Sequence, residues 1–317
     1  NSGWRSATAD VVVFVDDDCS PTDGWLESLL AHFTDPRTVA VAPRIVTPSA
    51  ADPLSRYEAR RSPLDLGSRA APVVAGTRVS YVPSAALAIR RSALAEVGGF
   101  DEGLRFGEDV DLVWRLASAG GRVRYEPAAV VEHPARSGLR DWLQQRFEYG
   151  TSAASLAKRH PGALSPLRVS PWSTLAWGAV AAGHPAIGAA VAATTTALLP
   201  RKLTMLQRPW PEALRLAGLG HLFAVRQISD ALIRTWWPLA LVAAAVSRRA
   251  RRAVFAAVLI PPLIEWVQRR PRIDPLRWVA LRLLDDLAYG AGVWTGCARE
   301  LTVDPLVPRS PSLLAGE

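Results

Sequence analysis

The sequence predicts an α/β domain on a mainly parallel sheet with flanking helices, followed by a helical, apolar, membrane-proximal region. Three observations carry that expectation. Val11–Val15 is an unbroken apolar run ended abruptly by Asp16-Asp17-Asp18, the pattern of a strand buried in a parallel sheet. Strand-like and helix-like segments then alternate as far as about residue 140, as βαβ units do. Beyond that point the apolar segments have helical period and are flanked by arginines.

Taken in order, Pro21 and Thr22 open a helix over 23–33, with Trp25, Leu26, Leu29, Leu30 and Phe33 at helical spacing. Residues 39–46 form the next strand, 48–72 a polar stretch of helix and loop, and 79–82 and 85–89 two further strands. A short helix over 92–97 stops at Gly98-Gly99. A strongly periodic helix spans 108–119 and is closed by Gly120-Gly121. Short strands at 122–126 and 129–131 lead to Glu132-His133-Pro134, and an amphipathic helix covers 139–158. Helices at 172–182, 186–199, 235–246 and 253–267 follow, the last expected to kink or break at Pro261-Pro262. Each is shorter than the roughly 18–20 residues of a spanning helix. The first two could make one broken span across Gly183-His184-Pro185, and the second two, joined by Ser247–Arg252, a hairpin or interfacial anchor. This gives a catalytic region at 1–150, a helical membrane-associated region at 151–302 and a disordered tail at 303–317.

The net charge of +8 hides an asymmetry. Residues 1–150 carry 17 Lys+Arg against 20 Asp+Glu, or −3, and residues 151–317 carry 20 against 9, or +11. A basic, apolar, Trp-containing half fits an anionic membrane surface rather than nucleic acid. Two distant cysteines, Cys19 and Cys297, give no disulfide framework and fit a reducing compartment. The opening Asn1-Ser2-Gly3-Trp4 reads as the middle of a βα unit, so a preceding segment is expected.

Four groups of residues can carry chemistry. Asp16, Asp17 and Asp18 end a strand, where ligands of open α/β sheets bind. Adjacent carboxylates repel unless a cation offsets them, and hard oxygen donors suit Mg²⁺ or Mn²⁺; a solvated acidic turn would look the same. Glu108 and Asp109 stand at a helix N-terminus, where a carboxylate can serve as general base or simply cap the helix. His133, at a strand end, could complete a metal site begun by the aspartates. Arg146, beside Gln145 on a helix, could bind phosphate bidentately or lie on the surface.

Together these residues resemble the family 2 inverting glycosyltransferases of GT-A fold. The shared pattern is an apolar strand ending in Asp-x-Asp, a segment ending in Arg-Arg-Ser at 90–92, and a block Gly98-Gly99-Phe100-Asp101-Glu102 then Glu108-Asp109-x-Asp111-Leu112 with Arg115-Leu116. The resemblance covers about residues 1–150. It implies that Asp16 and Asp18 engage metal and a nucleotide diphosphate, that Asp109 is the base with Glu108 its neighbour, and that His133 completes the metal site. Gln145 and Arg146 resemble faintly a motif of processive relatives, without its Trp. It also implies that a nucleobase-binding segment precedes residue 1. The stretch Leu283-Leu284-Asp285-Asp286-Leu287-Ala288-Tyr289-Gly290-Ala291-Gly292-Val293-Trp294 resembles a narrower branch that glycosylates a peptide-derived redox cofactor, which implies a UDP-glucose donor and β-linked glucose.

The expectation is therefore an enzyme on the cytoplasmic face of a bacterial membrane, integral or peripheral, moving a hexose from a nucleotide-sugar to a small-molecule or peptide-derived acceptor with Mn²⁺ or Mg²⁺. A nucleotidyltransferase would need a basic Gly-rich phosphate loop, and no Gly-Lys-Ser/Thr is present. An inactive membrane-attached scaffold is the other alternative.

Overall fold

The computed structural model describes residues 1–136 and 138–309. In chain order its elements are α1 (Ser2–Ser6), β1 (Val11–Val15), β2 (Ser20–Pro21), α2 (Trp25–Leu30), β3 (Thr38–Val46), α3 (Pro53–Arg61), β4 (Ala71–Pro72), β5 (Ala86–Arg90), α4 (Arg91–Val97), α5 (Glu108–Ser118) and β6 (Arg122–Glu132). The helical part follows as α6 (Leu139–Arg159), α7 (Pro171–Ala181), α8 (Pro185–Leu198), α9 (Pro209–Ala213), α10 (Leu219–Arg234), α11 (Trp237–Val246), α12 (Arg248–Arg269) and α13 (Pro275–Glu300).

The sheet is mixed, which corrects the mainly parallel expectation. Its order is β1-β5-β3-β6-β2, with β4 added on β6, and among the described residues β3 with β6 is the parallel pair. β5 runs antiparallel between β1 and β3. Both β3 and β5 are nevertheless buried on both faces, so their composition is that of parallel strands and carries no sign of direction. β1 lies at the sheet edge and is half-exposed, not buried as its apolar run suggested. Residues 79–82 form no strand, although Val79 and Val82 are buried. The two strands expected at 122–131 are one, β6, with an irregularity where the register on β3 jumps from Pro43↔Glu126 to Arg44↔Val130.

Side-chain alternation along the strands builds a core on each face. Ala40, Ala42, Leu87 and Ile89 meet Leu94 of α4 and Leu112, Val113 and Leu116 of α5. On the other face Val41 and Ala88 meet Leu29 of α2.

α6 matches the helix expected over 139–158, and because it runs through residues 150 and 151 the catalytic and helical regions share one helix. The helices after it depart further from expectation. α7 and α8 fold back on each other rather than forming one broken span; Gly188 lies so close to α7 that an added Cβ would sit 2.5 Å from Ala176 O. α12 runs unbroken through Pro261 and Pro262, and Trp278 Nε1 donates to Pro262 O (3.1 Å). No described helix is long and apolar enough to cross a membrane. Of the expected disordered tail, 310–317 lie outside the described residues. Residues 303–309 are packed, with Pro305 buried and Trp236 Nε1 donating to Leu306 O (2.8 Å).

α6 and α13 are the tightest helix pair, because glycines let their backbones touch. A Cβ on Gly150 would lie 2.1 Å from Tyr289 O, and one on Gly292 2.0 Å from Phe147 O. Gly292→Ala should therefore force the helices apart and lower unfolding free energy by about 1–3 kcal/mol in urea denaturation. Gly220→Ala, where an added Cβ meets nothing within 4 Å, should be neutral or stabilising by up to about 1 kcal/mol.

Candidate active site

The acidic turn is shaped by backbone pairing. Asp16 N donates to Ala85 O (2.9 Å), which prolongs the β1–β5 ladder past Val15, and Cys19 N donates back to Asp16 O (3.0 Å). That turn brings Asp16 and Asp18 to one side. β2 then pairs with the end of β6, Ser20 opposite Glu132, while His133 N donates to Val46 O (2.9 Å). The result sets His133 Nε2 3.4 Å from Asp18 Oδ1. Ligand atoms of Asp16, Asp18 and His133 all lie within 4.8 Å of one another. Asp17 is exposed and stands outside this trio.

Electrostatics fit a cation here. Partial burial and then the Asp18 charge push the Asp16 carboxyl up, while His133 and Arg136 act in the opposite direction. A cation among the three donors would relieve that repulsion, and a mixed oxygen and imidazole set suits Mn²⁺ at least as well as Mg²⁺. Burial and the same aspartates push the Cys19 thiol up to about 11. Cys19 therefore remains a thiol that donates to Ala85 O (3.3 Å).

Asp109 reaches the same cleft from the start of α5. Gly107 precedes the helix at φ 79°, and a Cβ there would press on Leu156 Cδ1 at 2.9 Å and Ser152 Cβ at 3.0 Å, so both conformation and space call for glycine. Asp109 Oδ2 accepts from Ser84 N (3.3 Å) and Oδ1 from Val110 N (2.8 Å). Ser84 and Ala85, adjacent in sequence, thus bind Asp109 and Asp16 respectively and fix their spacing. Burial raises the Asp109 carboxyl despite these donors, and Asp16 adds a smaller push; burial also raises Glu108. Desolvation here outweighs the helix N-terminus, which by itself would favour ionisation.

The rest of the Glu-Asp-x-Asp block is structural. Asp111 is buried and accepts from Arg115 Nε (2.7 Å), and its other oxygen pairs with His160 Nε2 (2.9 Å). Arg115 also donates to Val97 O (2.6 Å) and Gly99 O (2.7 Å). One pair of side chains therefore clamps the Gly98-Gly99 turn to α5 and aims Asp109.

Arg146 lines the cleft wall, but its guanidinium is already engaged. It is buried, with Nη2 2.5 Å from Glu58 Oε1 and Nε 3.0 Å from Asp285 Oδ1, and it stacks on Trp142. Burial opposes its charge, and Glu58 and Asp285 more than offset that. Tyr149, grouped in the sequence with Gln145 and Arg146, does line the cleft of ≈ 1010 Å³, while sequence reasoning missed Ser84, Tyr81, Arg136 and, from the helical part, Arg234 and Tyr289. Arg136, three residues after His133, had a positional signal; Tyr81 had none.

Comparison with known proteins identifies the family of the chain. Residues 11–247 match the family described as glycosyl transferase family group 2. The pre-mycofactocin glycosyltransferase of Mycobacterium tuberculosis (strain H37Rv) is 44% identical over 98% of this chain and 68% of its own length. The N-acetylglucosaminyl-diphospho-decaprenol L-rhamnosyltransferase of the same species (strain CDC 1551 / Oshkosh) is 41% identical over 26% of this chain and 28% of its own. Among solved structures, the Pyrobaculum calidifontis mannosyltransferase with GDP-Man and Mn²⁺ covers 70% of this chain and 64% of its own at 16% identity and a TM-score of 0.34, too loose an overlap to carry an argument.

Arg146→Met should strand Glu58 and Asp285 as buried charges and cost about 3–5 kcal/mol of stability, measured as a fall in Tm. Arg136→Ala should leave the unfolding free energy within about 0.5 kcal/mol of the parent, as surface changes do, while raising the KM for donor.

Proposed function

The chain belongs to glycosyl transferase family group 2 and is a glycosyltransferase, and from that premise we propose that it moves glucose from UDP-glucose to a hydroxyl of pre-mycofactocin, with metal dependence and inversion at the anomeric carbon. The observation that carries the reading is the Asp16, Asp18 and His133 trio, of which Asp16 and His133 line the same cleft as a half-buried Asp109. The acceptor follows the 44% identical relative. The intact trio and Asp109 favour an active transferase over a scaffold.

Asp16, Asp18 and His133 would hold Mn²⁺ or Mg²⁺, which when bound offsets charge on a leaving diphosphate. Arg136, at the same mouth, would meet the phosphates, since the Arg146 guanidinium is held by Glu58 and Asp285. Asp109 accepts the proton of the acceptor hydroxyl through the carboxylate oxygens that Ser84 N and Val110 N orient. Glu108 beside it is itself raised, by burial first and then by the Asp109 and Asp16 charges. Tyr81, Tyr149 and Tyr289 line the space next to Asp109 and exclude water from it. Catalysis takes place at the cytoplasmic face of a membrane, in keeping with the basic, apolar second half of the chain.

The test is UDP release from UDP-glucose by the full-length protein with and without Mn²⁺. Asp109→Asn should lower kcat by roughly 10²–10⁴, and unchanged turnover would remove Asp109 from this role. A raised carboxyl contributes its stability below the ordinary carboxylate range and loses it as pH climbs through the raised value. At neutral pH the Asn variant should thus melt at the same temperature or higher. For the same reason the acid limb of the rate profile should lie above the ordinary carboxylate range, with turnover falling as pH drops through it. Asp18→Ala should abolish Mn²⁺ binding measured by calorimetry.

A further inference from the structure

α7, α8 and α11 present a physical contradiction. α11 is apolar on every face, and α7 and α8 are apolar except for a few Ser and Thr, a composition that normally marks helices enclosed by protein or lipid. Yet α7 buries only Ser173 and Ala176, α8 only Gly188, and α11 only Ala240. The exposed large apolar side chains of the chain concentrate between Trp172 and Val267. Between α7–α8 and α9–α10 lies a groove of ≈ 1240 Å³, larger than the roughly 300–1,000 Å³ of an ordinary small-molecule pocket. Trp210 (62% exposed) and Leu214 (66% exposed) stand at it. Its polar floor is closed: His221 is buried, with its ring nitrogens 2.9 Å from Ser173 Oγ and 2.9 Å from Thr195 Oγ1. Such a groove offers nothing to a sugar or a nucleotide and much to hydrocarbon.

The charge around this surface has one sign. Between Pro171 and Ile264 there are ten Lys and Arg against two acids, Glu212 and Asp230. Asp230 is paired with Arg282 (2.6 Å) and Glu212 with Arg215 (2.9 Å). Arg248, Arg249, Arg251 and Arg252 are exposed at the α11–α12 turn, and Arg249 Nη1 donates to Ala182 O (3.2 Å), which sets this cluster at the tip of the α7–α8 hairpin. A second copy meeting this face about a two-fold axis would oppose like charges. An anionic headgroup layer would meet arginines at its own depth, with exposed Trp172 and Trp210 at the interface.

We propose that α7–α12 dock on one leaflet of an anionic lipid bilayer, with the α7–α10 groove open to its acyl chains. This deepens the membrane part of the reading above and is independent of the transfer chemistry. Because no described helix can cross, the docked helices lie in the interface and the arginines stay among headgroups.

The experiment is co-sedimentation of the full-length protein with vesicles of phosphatidylcholine alone and of equimolar phosphatidylcholine and phosphatidylglycerol. Metal-dependent UDP release in detergent is followed in parallel as a check of folding. Binding should be about tenfold or more tighter on the anionic vesicles. Trp210→Glu combined with Leu222→Glu, and separately Arg251→Glu combined with Arg252→Glu, should each weaken it by a similar factor with UDP release unchanged. Vesicle binding that is absent, or that neither pair alters, overturns the proposal. So does a dimer split by the Trp210/Leu222 pair with no vesicle binding, which would give the face to a second copy. Loss of UDP release by the parent chain would strike the catalytic reading and leave the vesicle result standing.

Discussion

Two adjacent buried carboxylates, Asp285 and Asp286 in the middle of α13, decide how the helical part sits on the sheet. Asp285 is held by Arg146 of α6 and accepts from Tyr57 OH of α3 (2.9 Å). Asp286 is held by Arg234 of α10 (2.9 Å) and Arg282 of α13 itself (2.8 Å). Burial and then the arginines pull Asp286 in opposite directions, and burial raises its carboxyl on balance. Such a network adds little net stability, since desolvation consumes most of the Coulombic gain. What it adds is specificity: a displaced α6, α10 or α3 strands a charge in a dry interior, and each alternative packing is penalised.

The active site inherits that constraint. α6 carries Tyr149 into the cleft and its Gly150 lies against α13, while Tyr289 of α13 and Arg234 of α10 stack with the guanidinium 3.7 Å from the ring centroid. The far wall of the cleft is therefore made of residues whose positions follow from the charge network, and the near wall from the β1–β5 and β2–β6 pairings. Arg146 belongs to the first system, which is why it serves the fold rather than a phosphate. The site is a joint between a sheet edge and a helical layer, each rigid for its own reason.

The local elements of the first 150 residues were legible. β1, α4 and α5 fall within a residue or two of their sequence bounds because period and punctuation agree: Asp16 ends an apolar run, Gly98 ends α4, and Gly107 starts α5. The Asp16, Asp18 and His133 trio and Asp109 were also readable, through motif order and position at element ends. Strand direction was not, because Ala86–Arg90 is buried on both faces whichever way it runs. α10 and α13 were missed as elements because Asp230, Arg282, Asp285 and Asp286 look like a solvated face in sequence while they are buried or half-buried in the fold. Arg146 misled for the same reason, since a helix arginine beside a site reads alike whether its partner is a phosphate or a buried carboxylate. Pro261 and Pro262 were expected to break α12, yet the helix runs through them with Pro262 buried against Trp278.

The chemistry proposed depends on Asp109 receiving a proton on the side of the sugar away from the diphosphate, with one displacement and no covalent intermediate. The most direct measurement is the anomer of glucose first released when water replaces the acceptor, read by proton NMR of UDP-glucose hydrolysis before mutarotation. UDP-glucose is α-linked, so the account predicts β-glucose first. Appearance of α-glucose first would mean retention and would contradict the single displacement that Asp109 is placed to assist.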